Sequence, residues 1–153
     1  MADQEATPLP ELLAEASIDL DASATGRDDA IRQAGGLLKA VGAVDDAYID
    51  AMIDRENSVS TFMGEGVAIP HGTLGAKDSV KADALSLVKF TEPVDWDGNE
   101  VTLAFGIAAK GNGHIALLAQ LATVLMDPEK AAALRAATTV DEVYALLTPE
   151  DES

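Results

Sequence analysis

The run VTLAFGIAA, residues 101–109, holds no charged residue and a single polar one. It is far shorter than the roughly 18–20 apolar residues that a bilayer-spanning helix needs, so it must find its apolar cover inside a folded core. ADALSLVKF, residues 82–90, reads as a second, largely buried strand. Between them lies TEPVDWDGNE, in which Asp97-Gly98 is a strong bend signal and Trp96 reads as a packing anchor. Shorter strands are expected at SIDL, 17–20, and VAI, 67–69, with SVSTFMGEG as the loop before the latter.

The cover for such strands is helical. After TGRD, the residues Ala30, Ile31, Ala34, Leu37, Leu38 and Val41 recur at helical spacing, interrupted by Gly35-Gly36. Thr25 is the expected cap, with Asp28 three positions on. Asp45 suits the cap of DAYIDAMIDREN, with Tyr48, Met52 and Ile53 inward and Arg55 near the end. A further helix runs from near His114 through IALLAQLATVLM. Asp127-Pro128 opens the next, and Thr139 with Glu142 opens the last. The expected fold class is α/β: a single three-layer domain over residues 1–153, a mixed β-sheet flanked by helices. Residues 1–10 and 148–153 read as loose tails, and the acidic ends as those of a freestanding protein.

Composition removes several function classes. There is no cysteine, which excludes disulfides, thiolate metal sites and a thiol nucleophile in this chain. The net charge of −17 would repel a nucleic-acid backbone. The start, MADQEATPLPELLAEA, lacks the basic and apolar regions of a secretory signal, so a cytoplasmic protein is expected. An acid surplus this large destabilises a compact chain by self-repulsion, which salt relieves because the Debye length falls to about 3 Å near 1 M. The surplus therefore reads as that of a halophile protein, with an ordinary acidic cytosolic domain as the alternative.

Against this background two stretches are quiet. Residues 58–76 carry one charge, Glu65, and residues 101–126 carry one, Lys110. These stretches contain the chain's two histidines. His71 lies in GEGVAIPHGTLGA and His114 in GIAAKGNGH, each after an apolar strand and a glycine-containing bend. In open α/β sheets ligands bind at strand ends, and a helix start such as that near His114 favours an anion. A neutral imidazole can attack a phosphoryl group and hold it as a phosphoramidate. A second imidazole can donate a hydrogen bond to the phosphoryl oxygens, and an arginine can meet them with its planar fork. Taken singly, a loop histidine is more often structural, and an arginine near a helix C-terminus more often serves the helix dipole. Glu65 reads as a solvated loop acid.

GVAIPHGT followed by GIAAKGNGH and LLAQLATVL resembles the enzyme IIA domains of the fructose–mannitol type in the bacterial sugar phosphotransferase system, over residues 15–147. The resemblance implies that His71 is the phosphoryl carrier. It would accept the group from the phosphocarrier protein HPr and pass it to a cysteine of enzyme IIB, for a membrane enzyme IIC to use on the sugar. It implies that His114 assists near the phosphate. It matches IDREN to the family's arginine before the PHG motif, which assigns Arg55 to the phosphoryl group. No metal or small cofactor is implied. Where family members often carry Asn-Glu-His, this chain has Asn112-Gly113-His114. GIAAK resembles fructose-type members more than mannitol-type ones. The alternatives are a regulatory relative phosphorylated on His71, and a metallohydrolase, for which histidines 43 positions apart with no flanking acid cluster are poorly spaced.

Overall fold

The computed structural model describes residues 12–58, 60–64, 66–72, 80–109 and 113–147, with 113–116 by backbone alone. The expected tails, Glu65 and most of KGNG lie outside them. Five strands form one sheet in the order β1-β4-β5-β3-β2. They are β1 (Leu13–Ala22), β2 (Phe62–Gly64), β3 (Val67–Ala68), β4 (Ala84–Trp96) and β5 (Asn99–Ala108). β1 runs parallel to β4 and β3 parallel to β5, whereas β4–β5 and β2–β3 are antiparallel. The described helices are α1 (Arg27–Ala40), α2 (Asp46–Ser58), α3 (Gly113–Leu125), α4 (Pro128–Ala136) and α5 (Val140–Leu147).

Alternation along β4 and β5 splits the core in two. Leu85, Leu87, Leu103, Phe105 and Ile107 pack under Leu117, Leu121, Leu134 and Val143 of α3, α4 and α5. Val88, Phe90, Trp96, Val101 and Ala104 pack under Ile31, Leu38, Tyr48 and Met52 of α1 and α2. The mixed, three-layer α/β architecture is as the apolar runs required.

Several local expectations change. SIDL is only part of the ten-residue β1, and three residues of the expected loop form β2. β4 continues through the expected turn to Trp96 because a register shift between Lys89 and Val94 accommodates Pro93, which has no N–H for the ladder. The turn shrinks to Asp97 and Gly98, both at positive φ, closing a two-residue hairpin from Trp96 to Asn99. Thr25 does not cap α1. Gly26 holds that position without a side chain, and Asp29 instead accepts the Thr25 N–H at 3.0 Å. The other caps form: Asp127 accepts from the N–H groups of Glu129 and Lys130, and Thr139 and Glu142 exchange hydrogen bonds. Gly35 does not weaken α1 but brings it against α2, since a Cβ there would lie 2.8 Å from Ile49. No helix among the described residues is long and apolar enough to cross a membrane.

Candidate functional site

β3 and β5 are parallel neighbours, so whatever follows each strand leaves the sheet at the same edge. β3 is followed by Ile69, Pro70 and His71. His71 still pairs with Ile107 in a parallel bridge, and the Ile107 N–H donates to the Pro70 carbonyl at 3.1 Å. β5 leads toward α3, whose first turn contains His114. The His114 side chain lies outside the described residues.

The glycines around His71 do not leave it open to solvent on all sides. Only 8% of its surface is accessible, because the β-bridge draws it to the sheet edge. Its Nδ1 lies 2.9 Å from the carbonyl oxygen of Ile69. A carbonyl can only accept, so Nδ1 carries the proton and, in the neutral ring, the lone pair resides on Nε2. The backbone two residues away thus selects which ring nitrogen keeps a free lone pair rather than a proton.

His71 lines a cleft of about 310 Å³ with Arg55, Thr61, Met63 and Leu118 among its walls. Arg55 comes from the last turn of α2 and Leu118 from α3, so the two helical layers meet across the sheet edge at this cleft. None of the described residues lining it is acidic. An imidazole with a fixed tautomer, a guanidinium and apolar walls suit an anionic group in transit.

Two buried groups that the sequence reading left out of the site build its frame. Glu56, 2% accessible, accepts from the Thr61 N–H at 2.6 Å, the Thr61 hydroxyl at 2.6 Å and the Trp96 indole N–H at 2.8 Å. Three donors satisfy a buried carboxylate and pin the cleft wall that starts at Thr61. Trp96 is therefore a hydrogen-bond partner as well as a packing anchor. Tyr48 lies behind the bend that carries His71: its hydroxyl donates to the Ile107 carbonyl at 2.7 Å and accepts from the Gly72 N–H at 2.9 Å. Burial pushes the Tyr48 phenol up from its ordinary value, opposed in part by the Gly72 hydrogen bond. Gly72 is required because a Cβ there would lie 2.5 Å from the Tyr48 ring. Helical spacing marks Tyr48 as inward but does not reveal its polar partners.

A mixed sheet whose strand ends open onto a cleft lined by a histidine and an arginine suits a protein that handles an anionic group. The chain belongs to the phosphoenolpyruvate-dependent sugar phosphotransferase system EIIA 2 family, whose model matches residues 11–149, and members of this family are phosphoryl carriers. The mannitol-specific phosphotransferase enzyme IIA component of Staphylococcus aureus is 41% identical over 143 residues, 94% of this chain and 99% of that protein. Enzyme IIAMTL of Escherichia coli, solved in complex with phosphorylated enzyme IIBMTL, superposes with a TM-score of 0.82 at 36% identity, over 89% of this chain and 98% of that one. The nitrogen regulatory protein IIA-Ntr of Neisseria meningitidis superposes with a TM-score of 0.79 at 29% identity, over 91% and 98%.

Proposed function

We propose that this chain is the phosphoryl-carrier component of a mannitol-type sugar phosphotransferase system, accepting the group on Nε2 of His71 from phospho-HPr and passing it to a cysteine of enzyme IIB. The observation that carries this reading is the 2.9 Å contact from His71 Nδ1 to the Ile69 carbonyl, on a cleft shared with Arg55. On acceptance the Nε2 lone pair attacks phosphorus, the donor's N–P bond breaks, and a new N–P bond forms. Nδ1 keeps its proton throughout, and the Ile69 carbonyl offsets the positive charge that develops on the ring. Arg55 meets the phosphoryl oxygens, and His114 donates to them from the start of α3. Attack by a partner thiolate breaks the N–P bond and returns the neutral ring. GIAAK pointed to fructose, but a relative of 41% identity carries mannitol in its name, and the sugar is read as mannitol on that support.

His71→Ala should abolish labelling by phospho-HPr, while His114→Ala still accepts the group. Stoichiometric labelling of His71→Ala would remove the assignment. The likeness to a nitrogen regulatory protein favours a second reading, in which phosphorylation of His71 signals to partner proteins. Transfer to a purified mannitol-type enzyme IIB separates the two, since a regulator would not feed that cysteine.

We further infer from the charge of −17 a protein adapted to high salt. Its thermal midpoint should then rise between low and molar potassium chloride, because screening relieves self-repulsion. A midpoint that stays level sinks that reading.

A further inference from the structure

We propose that Tyr48 is a positioning residue for phosphoryl transfer: its hydroxyl clamps the His71 bend from the α1–α2 face of the sheet, behind the cleft wall that carries Arg55, and so holds the imidazole in its reactive tautomer. This rests on His71 as the phosphoryl acceptor. Val67, Ile69 and His71 alternate onto the α3 face of the sheet, where Val67 and Ile69 join the apolar core. Tyr48 belongs to the core of the opposite face. Its hydroxyl passes between the strand ends and holds one backbone group of each: the Ile107 carbonyl of β5 and the Gly72 N–H just after His71. Its ring presses against the Cα of Gly72, where no Cβ fits. Residues 69 and 72 on either side of His71 are thereby tied to fixed partners, with Ile69 held by its N–H donating to the Thr61 carbonyl at 3.1 Å.

The His71 Nδ1 bond to the Ile69 carbonyl spans only two residues, so it depends on the backbone torsions of the bend itself. The Ile107 N–H holds the bend at the Pro70 carbonyl before His71, and Tyr48 holds it at the Gly72 N–H after His71; removing the second anchor leaves His71 fixed from one side only and lets its ring shift against the Ile69 carbonyl. The ring can then exchange tautomers, and the form with a proton on Nε2 cannot attack. The buried phenol stays protonated well into alkaline solution, so the clamp is a neutral donor–acceptor wherever the protein works. The same residue fixes the second half of the site. Tyr48 and Arg55 lie seven positions apart, two turns along one face of α2. One helix therefore sets both the nucleophile's bend and the arginine that lines the cleft, and the phenol joins that helix to the bend.

The test is Tyr48→Phe, with Ser86→Ala as a control. Ser86 donates to the Ala34 carbonyl at 2.8 Å in the same core, away from the cleft, so its loss reports the cost of one buried hydrogen bond alone. Transfer from phospho-HPr is measured below both thermal midpoints, with His71→Ala alongside. Tyr48→Phe should lower kcat by roughly ten- to a hundredfold, as expected for a misplaced reacting group. KM should stay within about twofold, because the cleft surface is unchanged. The ¹⁵N shifts of the His71 ring should move from a single Nδ1–H tautomer to a mixture. The proposal is overturned if Tyr48→Phe keeps the parent's kcat, falls no further than Ser86→Ala, loses rate through KM alone, or retains a single tautomer. Those outcomes leave the carrier assignment intact as long as His71→Ala is unlabelled; a labelled His71→Ala brings down both. Should Tyr48→Phe not fold, the parent still decides. A Gly72 amide that exchanges its hydrogen as fast as an unprotected loop amide excludes the clamp, and one protected at least about tenfold supports it.

Discussion

The two faces of the sheet are built on different physics. Under α3, α4 and α5 the core is almost wholly aliphatic, with Leu85, Leu87, Leu103, Leu121 and Leu134 in contact and Phe105 at the centre. Under α1 and α2 alanines alternate with the bulky Trp96, Phe90, Tyr48 and Met52, and buried polar groups cross-link them. Ser86 reaches the Ala34 carbonyl, Tyr48 reaches Ile107 and Gly72, and Glu56 reaches Trp96 and Thr61. Apolar contacts are non-directional and set how tightly a layer adheres; hydrogen bonds are directional and set where an atom sits. The first face supplies cohesion, and the second supplies the coordinates of the cleft. Tyr48 and Glu56, the two polar links nearest the cleft, lie on the same helix as Arg55.

The comparison breaks most readily on the aliphatic face. Leu134 of α4 is fully buried among leucines and valines, and Leu134→Ala should cost about 2–5 kcal/mol of stability through lost transfer energy and a residual cavity. Because no directional contact to the cleft is lost, phosphoryl transfer per folded molecule should match the parent. Denaturant unfolding and single-turnover transfer, measured on one preparation, check both halves. A transfer rate that falls with stability would mean that the aliphatic face also positions the site.

This division also explains what the amino-acid sequence disclosed. The aliphatic face was legible almost entirely. Its strands are long apolar runs, and the starts of α4 and α5 carry side-chain caps, Asp127 and Thr139–Glu142, that act within three residues. The position of His71 at a strand end was legible too, from the apolar strand before it and the glycine after it, although its burial was not, because the bridge to Ile107 is made by a residue 36 positions away. That Arg55 shares a cleft with His71 was legible only through the family resemblance, since an arginine in the last turn of a helix has an ordinary structural use. The polar cross-links were not legible. Tyr48 bonds to residues 59 and 24 positions away, and Glu56 to one 40 positions away as well as to nearby Thr61, and no local pattern marks a tyrosine or a glutamate for such bonds. β2 escaped for a related reason: FMG has no periodicity of its own and becomes a strand only by pairing with β3. Thr25 failed as a cap because Gly26 stands between it and the first helical residue, and Asp29 takes up the reciprocal bond instead.

A smaller and sharper effect is expected on the polar face. In Glu56→Gln the shape is kept, and every bond can still be made. The amide oxygen can accept from the Thr61 N–H and the Trp96 indole, while the amide nitrogen donates to a Thr61 hydroxyl that turns to accept. Only the charge is lost. Hydrogen bonds to a charged acceptor are stronger than neutral ones by about 1 kcal/mol, but the desolvation of that charge in the parent is relieved at the same time. The net change in stability should therefore stay near or below about 1 kcal/mol, less than for Leu134→Ala. The effect on transfer should run the other way. The Thr61 N–H anchors the wall of the cleft that His71 and Arg55 line, and weaker bonds let that wall open locally without unfolding the domain. Transfer should slow by roughly two- to fivefold, the factor that corresponds to about 0.4–1 kcal/mol. Trp96 is the only tryptophan in the chain and donates to the altered group, so its emission reports the change directly. A Glu56→Gln variant with shifted emission and unaltered transfer would show that the wall at Thr61 does not set the geometry of the site. A variant as unstable as Leu134→Ala would show that the charge itself holds this face together.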